Sequence, residues 1–115
     1  MTLGRWQDDA AAPMAMEGAA GVTKRVLVGP AEGWEGWVMR LFEMQPGGHT
    51  PRHAHPWPHI NFVAEGDGAL LVEGEEHPLS AGGYACVPAG AEHQFRNTGS
   101  APFALVCIVP EEGER

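Results

Sequence analysis

The 115 residues are enough for one domain around one hydrophobic core. Lys and Arg number 7 against 15 Asp and Glu, and the resulting formal charge of −8 disfavours nucleic-acid phosphates and anionic membrane surfaces as partners. Nothing approaches the run of about eighteen apolar residues that a membrane span needs. Pro13 and Glu17 interrupt the N-terminal "AAAPMAMEGAAG", so no signal peptide is expected and the chain reads as cytoplasmic.

Residues 1–21 are rich in Ala, Gly, Met and Pro without a period, and are expected to form an arm that is flexible alone or ordered in a dimer. From Val22 to Pro110, strand-length apolar blocks alternate with Gly and Pro clusters: "TKRVLV", "WVMRLFEM", "HINFVAEG", "ALLVEG", "YACVP", "HQFRN" and "FALVCIVP". With 16 Gly and 10 Pro, no long window keeps a helical stripe. The expected class is therefore all-β, a small antiparallel barrel or sandwich over residues 22–110, followed by an acidic C-terminal tail at 111–115. Cys86 and Cys107 lie in apolar runs, which suits reduced, buried thiols.

Histidines are concentrated in "GGHTPRHAHPWPHINFVAEG". His53 and His55 are two apart, so on an extended chain they share a face and can reach one ion; a pair of this kind can equally face solvent. His59 opens the next apolar block, and His93 follows the turn "PAG". His49, in a Gly/Thr loop, and His77, in an acidic turn, read as bystanders.

The wider spacing carries more weight. Gly47, five residues, His53-x-His55, three residues, His59, six residues and Gly66 resemble the first motif of the cupin family, with His59 at the position of the family's usual Glu. Gly82, five residues, Pro88-x-Gly90, two residues, His93, three residues and Asn97 match its second motif. The chain thus resembles a single-domain cupin, similar to the small bacterial four-histidine type. That resemblance implies a jelly-roll barrel, an antiparallel double-stranded β-helix, with His53, His55, His59 and His93 as ligands of one divalent transition metal. Manganese is implied by the resemblance, whereas imidazole softness suits Fe, Zn, Ni or Cu. Asn97 occupies a motif position with a structural role, and small cupins typically pair as homodimers; the N-terminal arm and "TKRVLV" are the candidate contacts.

Four neutral imidazoles would leave a divalent ion its full charge, which a carboxylate ligand would partly offset. Strand parity places Asn61 and Val63 inward with His59, and Phe95 inward with His93. Both faces of the last strand are apolar, so parity does not choose; the resemblance favours Leu105 and Cys107 as cavity-lining residues. Arg40 is expected on the solvated face of its strand. Trp57, between two prolines, is either a lid or the packing of a rigid turn. The function expected is a metal-dependent oxidoreductase, dioxygenase-like, activating oxygen or peroxide at an open metal position and acting on a small molecule. The alternatives are a non-enzymatic metal or ligand sensor and a metal-dependent isomerase or lyase.

Overall fold

The computed structural model describes residues 1–114 and consists of nine strands with three short 3-10 turns. The strands are β1 (Ala12–Pro13), β2 (Ala20–Val28), β3 (Trp37–His49), β4 (His59–Glu65), β5 (Asp67–Val72), β6 (Glu75–Ser80), β7 (Tyr84–Val87), β8 (His93–Asn97) and β9 (Phe103–Pro110). All pairings are antiparallel, in the order β6-β5-β8-β3-β9-β4-β7, with β2 on β3 and β1 on β2. The long β3 links the two halves: its body pairs with β9, and His49 at its end pairs with Arg96 of β8. The result is a nearly closed jelly-roll barrel. Among the described residues, no helix is long and apolar enough to cross a membrane.

Alternation along the strands builds the interior. His59, Asn61 and Val63 are buried on β4 while Ile60 and Phe62 face out; His93, Phe95 and Asn97 are buried on β8. On β9 the face of Phe103, Leu105, Cys107 and Val109 enters the core with Val63, Phe42 and Met44. Gly66 closes the β4–β5 connection with φ of 86°, and a side chain there would overlap the Pro102 carbonyl, so only glycine fits. Asn97 is a tether: its Nδ2 donates to the Met44 and Ala101 carbonyls at 2.9 Å each, and its Oδ1 accepts from Gly99 N at 2.9 Å.

Local pairing adds detail at the N-terminus, at the start of β2 and at the two thiols. The N-terminal segment is paired with its own chain: Ala12 and Pro13 stand opposite Lys24 and Thr23, Met14 N donates to the Val22 carbonyl, and Met14 packs on the core. An added edge strand satisfies backbone groups of β2 that would otherwise need another partner. Strand β2 also starts at Ala20, ahead of Val22. Cys86 is exposed rather than buried, because it lies on the outward face of the short β7, opposite Ile60; Cys107 is buried, and both thiols are free.

Candidate metal centre

The four histidines converge from three parts of the chain. His59 and His93 open β4 and β8, and His53 and His55 come from the loop after β3. That loop is clipped to the turn before β8: His53 and His93 exchange backbone hydrogen bonds of 3.1 and 2.9 Å, and Gly90 N donates to the His55 carbonyl at 2.8 Å. The local cause is the sequence itself, since "PAG" makes the turn that brings His93 alongside the loop.

Ring centroids lie 4.6 Å apart for His59 and His93, 4.9 Å for His53 with His93 and for His55 with His93, and 5.2 Å for His55 with His53 and with His59. The ring nitrogens of His53, His55 and His93 lie within 4.8 Å of one another, and His59 Nε2 is 3.0 Å from His93 Nε2.

In three of the rings the outer nitrogen is already engaged. His55 Nδ1 donates to the Trp57 carbonyl at 2.9 Å, and His93 Nδ1 to the Ala91 carbonyl at 2.9 Å. His59 Nδ1 donates to Asn61 Oδ1 at 2.6 Å, while Asn61 Nδ2 donates to the Val106 carbonyl at 3.4 Å and so orients the amide. Because a carbonyl only accepts, each Nδ1 carries the proton and each Nε2 of a neutral ring is left with a bare lone pair. In His53, His59 and His93 protonation of the second nitrogen is disfavoured. Desolvation, then the neighbouring His93, His55 and Arg40, lowers His53 to about 4. Burial likewise brings His59 to about 4 despite the opposing Asn61 bond, and holds His93 below its ordinary value despite its bond to Ala91. Two neutral lone pairs at 3.0 Å repel unless a cation lies between or beside them. The cluster of His53, His55 and His93 fits a metal ion, and His59 stands beside it with its Nε2 3.0 Å from that of His93.

A cavity of about 600 Å³ opens on these rings. Its wall is mainly apolar, with Met14, Met16, Phe42, Trp57 and Phe95, and it includes Lys24, Arg40, Cys107 and Glu114. Phe95 and Cys107 are among the residues that line the cavity. Leu105 does not line it; fully buried, it belongs to the core. Trp57 both lines the cavity and stacks on His55, with centroids 4.9 Å apart and planes 13° from parallel. His49 Nδ1 contacts the Thr50 carbonyl at 3.3 Å and does not line the cavity, and His77 is exposed.

Arg40 corrects the sequence reading. Instead of facing solvent it turns into the barrel, 4.8 Å over the Phe42 ring, with Nη2 donating to Cys107 Sγ at 3.1 Å and Nη1 to Glu114 Oε1 at 3.3 Å. It shares the parity of Val38, Phe42 and Met44, a signal blurred by the equally apolar Met39 and Leu41 on the other face. Glu114 had no signal at all. Within the predicted acidic tail, Glu111–Gly113 form a 3-10 turn that delivers its carboxylate to the cavity wall.

Comparison with known proteins agrees with this fold. The polyketide cyclase RemF from Streptomyces resistomycificus superposes with a TM-score of 0.88 at 28% identity, over 96% of this chain and 79% of that one. Polyketide synthase CurC from Streptomyces cyaneus is 32% identical over 82 residues, 70% of this chain and 51% of its own. The 1-methylthio-D-xylulose 5-phosphate methylsulfurylase of Rhodospirillum rubrum is 28% identical over 94 residues, 82% of this chain and 59% of its own. The chain thus spans little more than half the length of these two curated relatives. A cupin domain profile matches residues 40–109, more than half of the chain and both histidine motifs, and the protein therefore belongs to the cupin family.

Proposed function

We propose that this cupin is a metal-dependent enzyme acting on an apolar, carbonyl-bearing small molecule of the polyketide type, with ring closure as its reaction. The observation that carries the reading is the pair of anchored, bare Nε2 atoms of His59 and His93, 3.0 Å apart at a mainly apolar cavity. His53, His55, His59 and His93 would hold one divalent transition ion, manganese by resemblance and Fe, Zn, Ni or Cu by ligand type. Bound by four neutral donors, such an ion keeps its full charge and supplies a Lewis acid for a substrate oxygen.

The chain's own residues support the substrate class. Phe42, Phe95 and Trp57 offer ring faces and exclude water, and Met14 and Met16 add an adaptable apolar flank. Glu114 is the carboxylate of the wall, and it is held by Lys24 and Arg40 rather than free to take a proton. Methylenes between two carbonyls are acidic and need no strong base, so this wall suits them. Likeness to the polyketide cyclase and to CurC supports the same class.

The engaged carboxylate also favours a second reading, the oxidoreductase activating oxygen or peroxide, in which little proton transfer falls to the protein. A sensor or an isomerase draws no comparable support from the wall. Chelator-stripped protein, reloaded with one ion at a time and incubated with a panel of poly-β-ketone compounds, separates the readings. Cyclisation predicts metal-dependent loss of water without oxygen uptake; the oxidoreductase predicts oxygen or peroxide consumption. Protein that takes up none of these ions would sink both.

For the assembly we propose a cytoplasmic homodimer. Ile60, Phe62 and Tyr84 form an exposed apolar patch on the outward face of β4 and β7, of a kind that monomers usually cover. The N-terminal segment is engaged with β2 of its own chain, so the patch is the favoured contact.

A further inference from the structure

We infer that Lys24 and Arg40 form a receiving site for an anionic oxygen group of the substrate, and that Glu114 occupies this site as an internal stand-in until a ligand displaces it. The inference rests on reading the cavity as the substrate site, but not on a metal being bound there.

Three observations converge. First, a carboxylate already sits between the two cations: Glu114 Oε2 lies 2.8 Å from Lys24 Nζ, and Oε1 lies 3.3 Å from Arg40 Nη1. The position is therefore shaped for a carboxylate, and the chain has filled it from its own sequence.

Second, Arg40 is poorly satisfied by what it has. Charge-assisted bonds to oxygen are usually about 2.7–2.9 Å long. Those from Nη1 to Glu114 and to the Gly113 carbonyl are 3.3 and 3.5 Å, Nη2 meets the weak acceptor Cys107 Sγ, and Nε is buried without a partner. A guanidinium whose side chain is only 13% exposed carries a desolvation cost that such contacts offset incompletely. A ligand anion able to approach more closely would offset more of it.

Third, the charges do not balance. With neutral imidazoles, the ionised groups of the cavity wall are Lys24, Arg40 and Glu114, two cations and one anion, in a chain whose formal charge is −8. The surplus positive charge faces the space in which a ligand would lie. Arg40 is near enough to act electrostatically on His53 and His59, and Trp57 touches both ends, stacking on His55 while its indole nitrogen lies where a Cβ on Gly113 would be 2.8 Å away. A flat apolar body with one anionic end therefore spans the cavity, its anion on Lys24 and Arg40 and its body against Phe42 and Trp57.

Calorimetry on the chelator-treated full chain tests this with naphthoate and its neutral counterpart, naphthamide. Metal-free protein removes any contribution of an ion to anion binding, so this outcome is independent of the metal reading. Naphthoate should bind, and Glu114→Gln should tighten it about three- to ten-fold by weakening the internal competitor, while Lys24→Gln weakens it by a similar factor. Arg40→Gln should weaken it about ten-fold or more; if that variant does not fold, the other two carry the test. Naphthamide should not respond to any of them. The inference is overturned if naphthoate does not bind, if Glu114→Gln leaves or lowers its affinity, or if both ligands respond in parallel.

Discussion

His59 and His93 point their Nε2 atoms at each other across 3.0 Å, with the opposite nitrogen of each ring bonded to Asn61 Oδ1 and the Ala91 carbonyl. Two neutral imidazoles would not choose this arrangement for its own sake, since neither can donate to the other. Asn61 is thus a positioning residue that fixes the His59 tautomer. Replacing it, Asn61→Ala, should lower metal affinity about 10- to 100-fold, the range observed when such outer partners are lost. Competition with a chromogenic chelator measures this, with His59→Ala as the more severe reference. Unchanged affinity in Asn61→Ala would remove the anchoring argument.

Burial of the histidines makes the metal-free protein sensitive to acid. His53 and His59 titrate at about 4 in the folded chain against 6.5 when unfolded, so between these values the unfolded chain binds more protons. Their contribution to stability is complete above pH 6.5 and is lost as the pH falls towards 4. Thermal midpoints of chelator-treated protein should be level near neutrality and drop steadily from about pH 6 to 5, ahead of most carboxylate titration. A flat profile over that interval contradicts the burial of neutral rings. Bound metal should be released over the same acid range, because the donors must be deprotonated to hold it.

Gly68 and Phe103 are packed so closely that a single methyl should be felt. A Cβ on Gly68 would run into the Phe103 ring, which is fully buried. Gly68→Ala should destabilise by about 1–3 kcal/mol as an overpacked core position. In a denaturant series, Phe103→Leu should cost less in the Gly68→Ala background than in the wild type, since it removes the clashing edge. Simple additivity would show that the clash relaxes elsewhere.

The proposed dimer is open to a direct check. Phe62 and Tyr84 stand opposite each other on β4 and β7 and are 48% and 79% exposed. Light scattering at micromolar concentration should give a dimer for the wild type and a monomer for Phe62→Glu combined with Tyr84→Glu, with circular dichroism unchanged. A monomeric wild type would contradict the proposal.

Local spacing made much of the fold readable. Strand-length blocks cut by Gly and Pro are local features, and the two spaced histidine motifs mark the loop after β3, the start of β4 and the turn before β8. Gly66 was legible for the same reason, since its positive φ is a property of one residue and its turn. Residues whose role depends on distant partners were not legible. Arg40 reads as a surface charge because its strand is apolar on both faces, and only its neighbours on β9 and the turn before Glu114 show where it goes. Leu105 and Cys107 have the same parity and both belong to the core, yet only Cys107 also lines the cavity.

By itself, then, the sequence determined the all-β class, the turns and the four histidines able to meet, because backbone preference and residue spacing act over a few positions. Only the tertiary structure decided which side chains share the cavity with those histidines. Lys24, Arg40 and Glu114 are joined by contacts across 74 to 90 residues of chain, and no local pattern records a contact at that separation. The paired cations of the cavity wall, and the carboxylate between them, are set by that long-range geometry.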